Sequence, residues 1–375
     1  MQTGDERNIF LSTMPPSGRD RMAALAVVGV SAALFAVVAP FATVRLAPVP
    51  AFIASYQSAL AINDLFTAVL LFSQFSLLRS RALLLLASGY LFTAAAAIIH
   101  ALTFPGLFAA AGLLNSGPQT TAWLYQVWHS GFPLLVVGYA LLKGKDGGPK
   151  IRGSVGGALA GSVVAVGVTL SVATWIVTAK HDSLPTLLSD GHFTSTLIGI
   201  LSAELFVSFA ALLILWFRRP HSVLDIWLMV VMCAWLFDIA LSGVINAARF
   251  DLGFYAGRAY GLCAASFVLA ALLVDNMGLQ AQLARLLAKL RREATSERNL
   301  RTERERLFSA VVESSNDAII TQSLDGIITG WNRAAERLFG FTSTEAVGKH
   351  IDIVIPLERR AERSEERRVG KECRL

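Results

Sequence analysis

Apolar residues run along this chain in long blocks separated by short polar punctuation, and the blocks stop at Met277 and Gly278. A stretch of about 20 predominantly apolar residues is what a helix needs to cross a bilayer core. Eight such stretches are present: Met22–Val44, Gln57–Leu78, Ala82–Thr103, Thr121–Leu142, Val155–Thr178, Thr196–Phe217, Ser222–Ala247 and Phe254–Met277. The first is too long, and lacks a small-residue site behind it, for a cleavable signal peptide. From Gly278 the pattern takes a heptad period. Leu279, Leu286, Glu293, Leu300 and Leu307 share one phase, and Leu283, Leu290, Glu297, Arg304 and Val311 share the alternate one. Leucine on the flanks with charge in the middle predicts a helical dimer seam that holds without being locked. Beyond Leu307 the period shortens. Ala318–Gln322 and Gly326–Trp331 read as two strands about the turn Leu324-Asp325-Gly326. Asn332 then caps an amphipathic helix, Arg333–Phe339, which Gly340 ends. The expected fold is an all-α integral membrane bundle of eight transmembrane helices, a coiled-coil linker, and a partial α/β domain.

Composition agrees with that reading and narrows it. With 54% hydrophobic and 16% charged residues among 375 and a mean hydropathy of +0.55, the chain is too apolar for a soluble enzyme. The formal net charge of +6 does not point to nucleic acid, because the basic residues are scattered rather than gathered in one stripe with aromatics. They mark membrane topology. The N-terminus and alternate loops carry Arg7, Arg19, Arg21, Arg79, Arg81, Lys143, Lys145, Lys150, Arg152, Arg218 and Arg219, against Arg45, Lys180, Arg249 and Arg258 opposite. This predicts that both termini are cytoplasmic. Cys233, Cys263 and Cys373 form no disulfide framework.

Charged and aromatic residues inside the spans are the candidate chemistry. At about 1.5 Å of rise per residue, Asp64, His100, His129, Glu204, Asp238 and Arg258 are all expected in the outer half of the bilayer. Each would cost about 2.5–3.5 kcal/mol facing lipid at a helix centre, so they should face the bundle interior and one another. Span four is the richest, with Trp123, Tyr125, Trp128, His129, Gly131 and Pro133. Pro133 removes the hydrogen bond to the carbonyl of residue 129, which predicts a kink beside an imidazole. The stretch from Phe104 to Pro118 is expected to lie over this end as a lid. The bland alternative is that these groups only pair helix to helix, at about 0.6 kcal/mol each. Two histidines without a tight spacing are a weak metal or haem signal, so no metal is assigned. A transporter would show broken helices at matching places in repeated halves; Pro40 and Pro133 do not match in that way.

The pieces ESSNDAII, SLDGIITGWN, NRAAERLFGF and TSTEAVGKHIDIVIP, in that order between Phe308 and Pro356, resemble the start of a PAS domain. The eight-span arrangement, FPGLF after His100 and WLYQVWHSGFPL in span four resemble the fourth class of bacterial membrane-associated sensor domains, the MASE group, over about residues 22–277. That resemblance implies an input unit in the bacterial inner membrane, placed ahead of PAS modules, histidine kinases or diguanylate cyclases. The expected division is a cytoplasmic segment 1–21, a membrane sensor 22–277, a signalling helix 278–307 and the first half of a PAS domain 308–362. Arg363–Cys373, RSEERRVGKEC, matches a translated sequencing-adapter oligonucleotide, so residues 363–375 are expected to be foreign. The implied function is a signal-transduction sensor that detects a small molecule or ion with Asp64, His100, Trp123, Trp128, His129, Glu204, Asp238 and Arg258. It would relay the signal through Leu279, Leu283, Leu286, Leu290, Leu300 and Leu307 of a homodimer to the PAS domain. The parent is expected to be a histidine kinase, with a diguanylate cyclase or phosphodiesterase as the alternative and a transporter or scaffold less favoured. No ATP-binding loop, phosphoacceptor helix or GGDEF signature occurs, so this chain is expected to be non-catalytic. No cofactor is assigned, and Trp331 is expected to be core. The stimulus stays open among protons, a metal, oxygen chemistry and an apolar metabolite such as a quinone.

Overall fold

The computed structural model describes residues 10–144, 148–189, 192–246 and 250–356. Arg7, Lys145, Arg249 and Ala247 lie outside these, as do residues 357–362 and the segment 363–375 that is expected to be foreign. The chain divides into two compact units, Met1–Gln280 and Ala281–Leu375.

The first unit is a helical bundle. Its helices are α1 (Gly18–Val38), α2 (Pro50–Leu78), α3 (Arg81–Thr103), α4 (Thr120–Leu142), α5 (Val155–Ala179), α6 (Ser195–Phe217), α7 (Val223–Ile239) and the first part of α8 (Leu252–Ser314). A two-residue hairpin, β1 (Leu188–Ser189) with β2 (His192–Phe193), precedes α6. Among the described residues, seven helices are long and apolar enough to cross a membrane; α4 is not among them. Its Trp, Tyr, Gln, His and Pro residues lower its hydropathy.

Local chemistry sets the helix ends. A capping box starts α1, with the Ser17 hydroxyl accepting from Asp20 N at 3.3 Å and the Asp20 carboxylate accepting from Ser17 N at 2.8 Å. Helix α1 therefore begins four residues before the expected Met22. It also stops at Val38, before Pro40, rather than continuing to Val44. Helix α2 starts seven residues earlier than expected. Helix α7 finishes at Ile239 and passes into a π-helical turn, Ala240–Val244, so the apolar span continues to Val244, and its expected end at Ala247 lies outside the described residues. Such turns are frequent where function needs a side chain re-aimed.

Two sets of paired loops close the ends of the bundle. At one, Leu46 N donates to Phe250 O and Leu252 N to Val44 O, around the bridge Arg45–Asp251. At the other, Arg81 N donates to Pro149 O and Ile151 N to Arg79 O. The core is a continuous cluster that includes Leu71, Phe75, Leu86, Tyr90, Phe132, Val136, Leu228 and Met232. Helices α1 and α5 lie at the periphery: Ala24 is the buried residue of α1, and Leu170 and Val177 those of α5, while Val163, Val164, Val168, Val172 and Trp175 are exposed. Apolar side chains turned outward over a whole helix suit a lipid surround rather than water.

Helix α8 is one uninterrupted element of 63 residues, and Gly278 does not break it. Beyond Ala281 its leucines are exposed, Leu283, Leu286, Leu290, Leu300 and Leu307 each by half or more.

In the second unit, β3 (Ile320–Gln322) pairs antiparallel with β4 (Ile328–Trp331), and α9 (Arg333–Phe339) and α10 (Ser343–Ala346) follow. The Asn332 side chain organises this region. Its Oδ1 accepts from Ile319 N and Ala335 N, both at 2.9 Å, and its Nδ2 donates to Val312 O at 2.9 Å and Asp317 O at 3.0 Å. Gly340 ends α9 in the left-handed conformation at φ 77°. Trp331 is buried with Ile328, Ala335, Ala346 and Ile351, and its indole N–H donates to Phe341 O at 2.9 Å.

Candidate functional site

Helices α2, α3, α4, α6, α7 and α8 bring polar side chains together near the Arg45–Asp251 end. From α4, His129 is buried, with Nδ1 3.0 Å from Tyr125 O and Nε2 3.4 Å from Oδ2 of the buried Asp238 on α7. Both partners of this imidazole are oxygens. A carbonyl only accepts, so Nδ1 donates to it, and Nε2 is the ring atom that faces the Asp238 carboxylate.

Asp238 also accepts from the Ser242 hydroxyl at Oδ1, 3.1 Å away, and the same hydroxyl lies 3.3 Å from Tyr125 Oη. Ser242 sits in the π-helical turn. On the α8 side the approach is close. A β-carbon on Gly257 would lie 2.7 Å from Asp238 Oδ1, and one on Gly261 3.2 Å from Oδ2 and 3.1 Å from Tyr56 Oη. Only glycines allow α8 to pass here, and their spacing of four puts both on one face. Between them in sequence, Arg258 is buried. It donates to Phe254 O at 3.0 Å and stacks its guanidinium 3.5 Å from the Phe254 ring and 5.3 Å from the Tyr125 ring.

Around this centre the aromatics are layered. His129 stacks on Tyr125 with centroids 3.6 Å apart and meets Trp128 and Trp235 at 4.8 and 5.1 Å. His100 lies about 6 Å from the rings of Phe104, Tyr125 and Trp128, and the Gln57 amide nitrogen holds its Nδ1. Glu204 on α6 is reached from α4. Ser130 Oγ donates at 2.8 Å, and Gln126, with its amide nitrogen turned to the carboxylate, donates to both oxygens at 2.8 and 3.0 Å.

A cavity of about 60 Å³ opens beside the cluster, lined by His100, Tyr125, Gln126, Ser242 and Arg258 and by apolar residues that include Phe104, Phe193 and Phe254. The β1–β2 hairpin contributes Leu188 and Phe193 to its wall. Gln119 holds that hairpin: its Oε1 accepts from Leu187 N at 3.0 Å and Leu188 N at 3.1 Å, and its Nε2 donates to Leu188 O at 2.8 Å.

The structure sorts the expected residues. His129, Asp238, Arg258, His100 and Trp128 converge; Glu204 adjoins them through Gln126 and Ser130 on α4. Asp64 stands apart. Because α2 begins at Pro50, residue 64 is at the middle of the helix rather than near its end, where it shares a hydrogen bond with Thr93. Trp123 points elsewhere, its indole N–H donating to Pro185 O at 3.2 Å. Only Phe104 of the expected lid lines the cavity; the stretch turns back instead through Leu113 N to Leu102 O at 2.8 Å. The imidazole meets the Tyr125 carbonyl rather than lying beside a carbonyl freed by Pro133, and α4 is assigned as one helix through Pro133. Tyr56, Ser242, Gln57, Gln126 and the hairpin were not among the expected site residues, and Tyr125 was expected only as part of the aromatic run of span four. Only the Gly257–Gly261 spacing offered a sequence signal for this close approach. Among the described residues no group of three His, Cys, Asp or Glu side chains converges as a metal site would.

Comparison with known families places residues 47–280 in a match to the membrane-associated sensor, integral membrane domain, named MASE4, and residues 306–374 in a match to the PAS fold. Over 87 residues the chain is 34% identical to Sensor protein FixL of Bradyrhizobium diazoefficiens, a stretch amounting to 23% of this chain. The match covers 17% of that relative, so the chain spans less than a fifth of its length. No solved structure matches the chain.

Proposed function

The chain belongs to the MASE4 family of membrane-associated sensors, whose match at residues 47–280 covers more than half of it, and from that premise we propose that the His129–Asp238 pair and the adjoining cavity detect the signal. The chain is a sensor input module, a membrane sensor domain followed by a PAS region. The observation that carries the site assignment is the convergence of a buried imidazole–carboxylate pair, a buried guanidinium and a cavity in one place. Residues that only pair helices would be saturated by one another and leave no cavity.

Helix α4 is the eighth crossing in this reading. It has 23 residues, about 34 Å at 1.5 Å each, and its polar residues face inward rather than to lipid. With eight crossings and eleven basic residues on alternate loops against four, both termini are cytoplasmic, and the Arg45–Asp251 end faces the opposite side. A change at Asp238 reaches α8 through the close contacts at Gly257 and Gly261. The exposed leucines of α8 form the seam of a homodimer, which buries a row that would otherwise face water. The parent is a histidine kinase, or alternatively a diguanylate cyclase. Residues 363–375 are read as foreign although the PAS match runs to residue 374; sequencing the gene from its source decides this.

Cysteine crosslinking in isolated membranes tests the sensing and relay. With the native cysteines replaced by serine, Leu286→Cys should crosslink between copies and Ala288→Cys, on the opposite face of the heptad, should not. His129→Ala and Asp238→Asn should each change the rate at Leu286→Cys at least twofold. Equal rates in wild type and both variants would remove the sensing assignment; equal rates at the two cysteine positions would remove the seam.

A further inference from the structure

We propose that the cavity beneath the β1–β2 hairpin binds a small monovalent carboxylate, held by Arg258. The inference rests on the sensor reading above and names the class of ligand. Its first support is charge. Arg258 and His100 are the basic residues in the cavity lining, and no Asp or Glu is among them. Asp238 is engaged with His129 and Ser242, and Glu204 with Ser130 and Gln126.

The second support is the state of the guanidinium. Arg258 is 7% exposed, and it always carries its charge with five N–H donors in a fixed plane. One nitrogen donates to Phe254 O, and aromatic rings of Phe254 and Tyr125 lie over the group. Among the described residues no Asp or Glu oxygen comes within 4.0 Å of it. Rings cover faces, so the remaining N–H groups project from the edge. A buried cation without a counter-charge is costly, and a carboxylate presents two oxygens at the spacing of that edge.

The third support is size and wall chemistry. A cavity of about 60 Å³ corresponds to about two waters at roughly 30 Å³ each, so only a molecule of a few heavy atoms fits. Acetate has four heavy atoms. The apolar wall of Phe104, Phe193 and Leu197 suits a short alkyl end while the oxygens face Arg258. The hairpin supplies Phe193 and Leu188 to this wall, and the Gln119 side chain ties it to the start of α4.

The test uses the full chain in nanodiscs, titrated with sodium acetate replacing sodium chloride at fixed ionic strength and read by tryptophan fluorescence and by the thermal midpoint. Wild type and Arg152→Gln, an exposed control, should give the same saturable response. Arg258→Gln should bind acetate at least tenfold more weakly, with Arg258→Lys in between. Leu197→Phe, which fills the cavity and keeps the charge, should lose binding as well, and this decides the matter if Arg258→Gln does not fold. Wild-type binding by Arg258→Gln, full binding by Leu197→Phe, or no saturable response to acetate or formate overturns the proposal. So does saturation by chloride with equal affinity. Crosslinking at Leu286→Cys separates the two readings. If His129→Ala alters it while acetate does not bind, sensing stands and the anion site falls. If acetate binds while neither acetate nor His129→Ala alters crosslinking, the anion site stands and sensing falls.

Discussion

Helix α7 carries two buried aspartates, Asp225 and Asp238, and they are used in opposite ways. Asp225 is saturated. Its carboxylate accepts from Ser222 N at 2.5 Å, Ser222 Oγ at 2.7 Å and Tyr139 Oη at 2.8 Å, and it pairs with Lys143 Nζ. It closes a capping box at the start of α7 and ties that end to the last turn of α4. Lys143 in turn donates to Pro220 O at 2.7 Å. Asp238 has fewer donors, shares a titratable partner, and sits against glycines beside a cavity. A fully donated carboxylate has one arrangement and fixes the frame. Asp238, with fewer donors and a cavity beside it, is held less tightly. The same residue type on one helix is thus saturated at one end and sparsely donated at the other.

The contrast is broken most directly by removing each acid. Asp225→Ala leaves Tyr139 and Ser222 donors buried without an acceptor and Lys143 without a counter-charge. It should cost about 3 kcal/mol or more of stability. Asp238→Ala removes one hydroxyl contact and one imidazole contact without stranding a lysine charge, and should cost about 1 kcal/mol. Thermal unfolding of the purified chain in one detergent measures both. Equal losses would mean that Asp238 is as much a part of the frame as Asp225.

Asn332 extends the comparison to a polar residue saturated outside the membrane part. Its four hydrogen bonds join the end of α8, β3 and the first turn of α9. Asn332→Ala should cost about 2 kcal/mol, the loss of a cap plus buried partners left unpaired. Protease resistance of the PAS region in membranes, assayed against urea, checks it. A loss under half of that would show that saturation alone does not make a buried polar residue structural.

How much of this was readable from the chain follows from which signals are local. The middles of the helices follow from apolar length, and Asn332 and Gly340 follow from cap chemistry, because each depends on neighbours in sequence. The start of α2 did not, since Pro48 and Pro50 break the pattern at that point and Ser55, Tyr56 and Gln57 dilute its first turns. That misplaced Asp64 by two turns. The β1–β2 hairpin has strands of two residues, too short to show an alternation. In α4 the sequence shows an aromatic run but not which ring does what; the part Tyr125 plays depends on Arg258 and Ser242, more than a hundred residues away. Ser242 is hidden for the same reason, as a small hydroxyl in an apolar run whose meaning comes from the turn that aims it at Asp238.

Smaller effects sharpen the contrast. Ser130→Ala removes one hydroxyl from Glu204 while Gln126 remains, so it should cost about 0.6 kcal/mol, the average for a polar contact between membrane helices. It should leave the response to His129→Ala unchanged if Glu204 belongs to the frame, and alter it if Glu204 belongs with Asp238.

The smallest expected effect repeats the capping box of Asp225 in water. Glu345 caps α10 by accepting from Thr342 N at 2.9 Å and the Thr342 hydroxyl at 2.7 Å, and these bonds lower its pKa below the ordinary glutamate value. A lowered folded pKa means that its contribution is present above the unfolded pKa, near 4.3, and is lost as pH falls through the folded one. Glu345→Gln should therefore shift the unfolding midpoint of the PAS region slightly at pH 7 and not at all at the acid limit, where wild type has lost the same charge. The group is fully exposed, so the shift should shrink in high salt. A shift as large as that of Asp225→Ala would mean that the box itself, and not its burial, is what makes Asp225 structural.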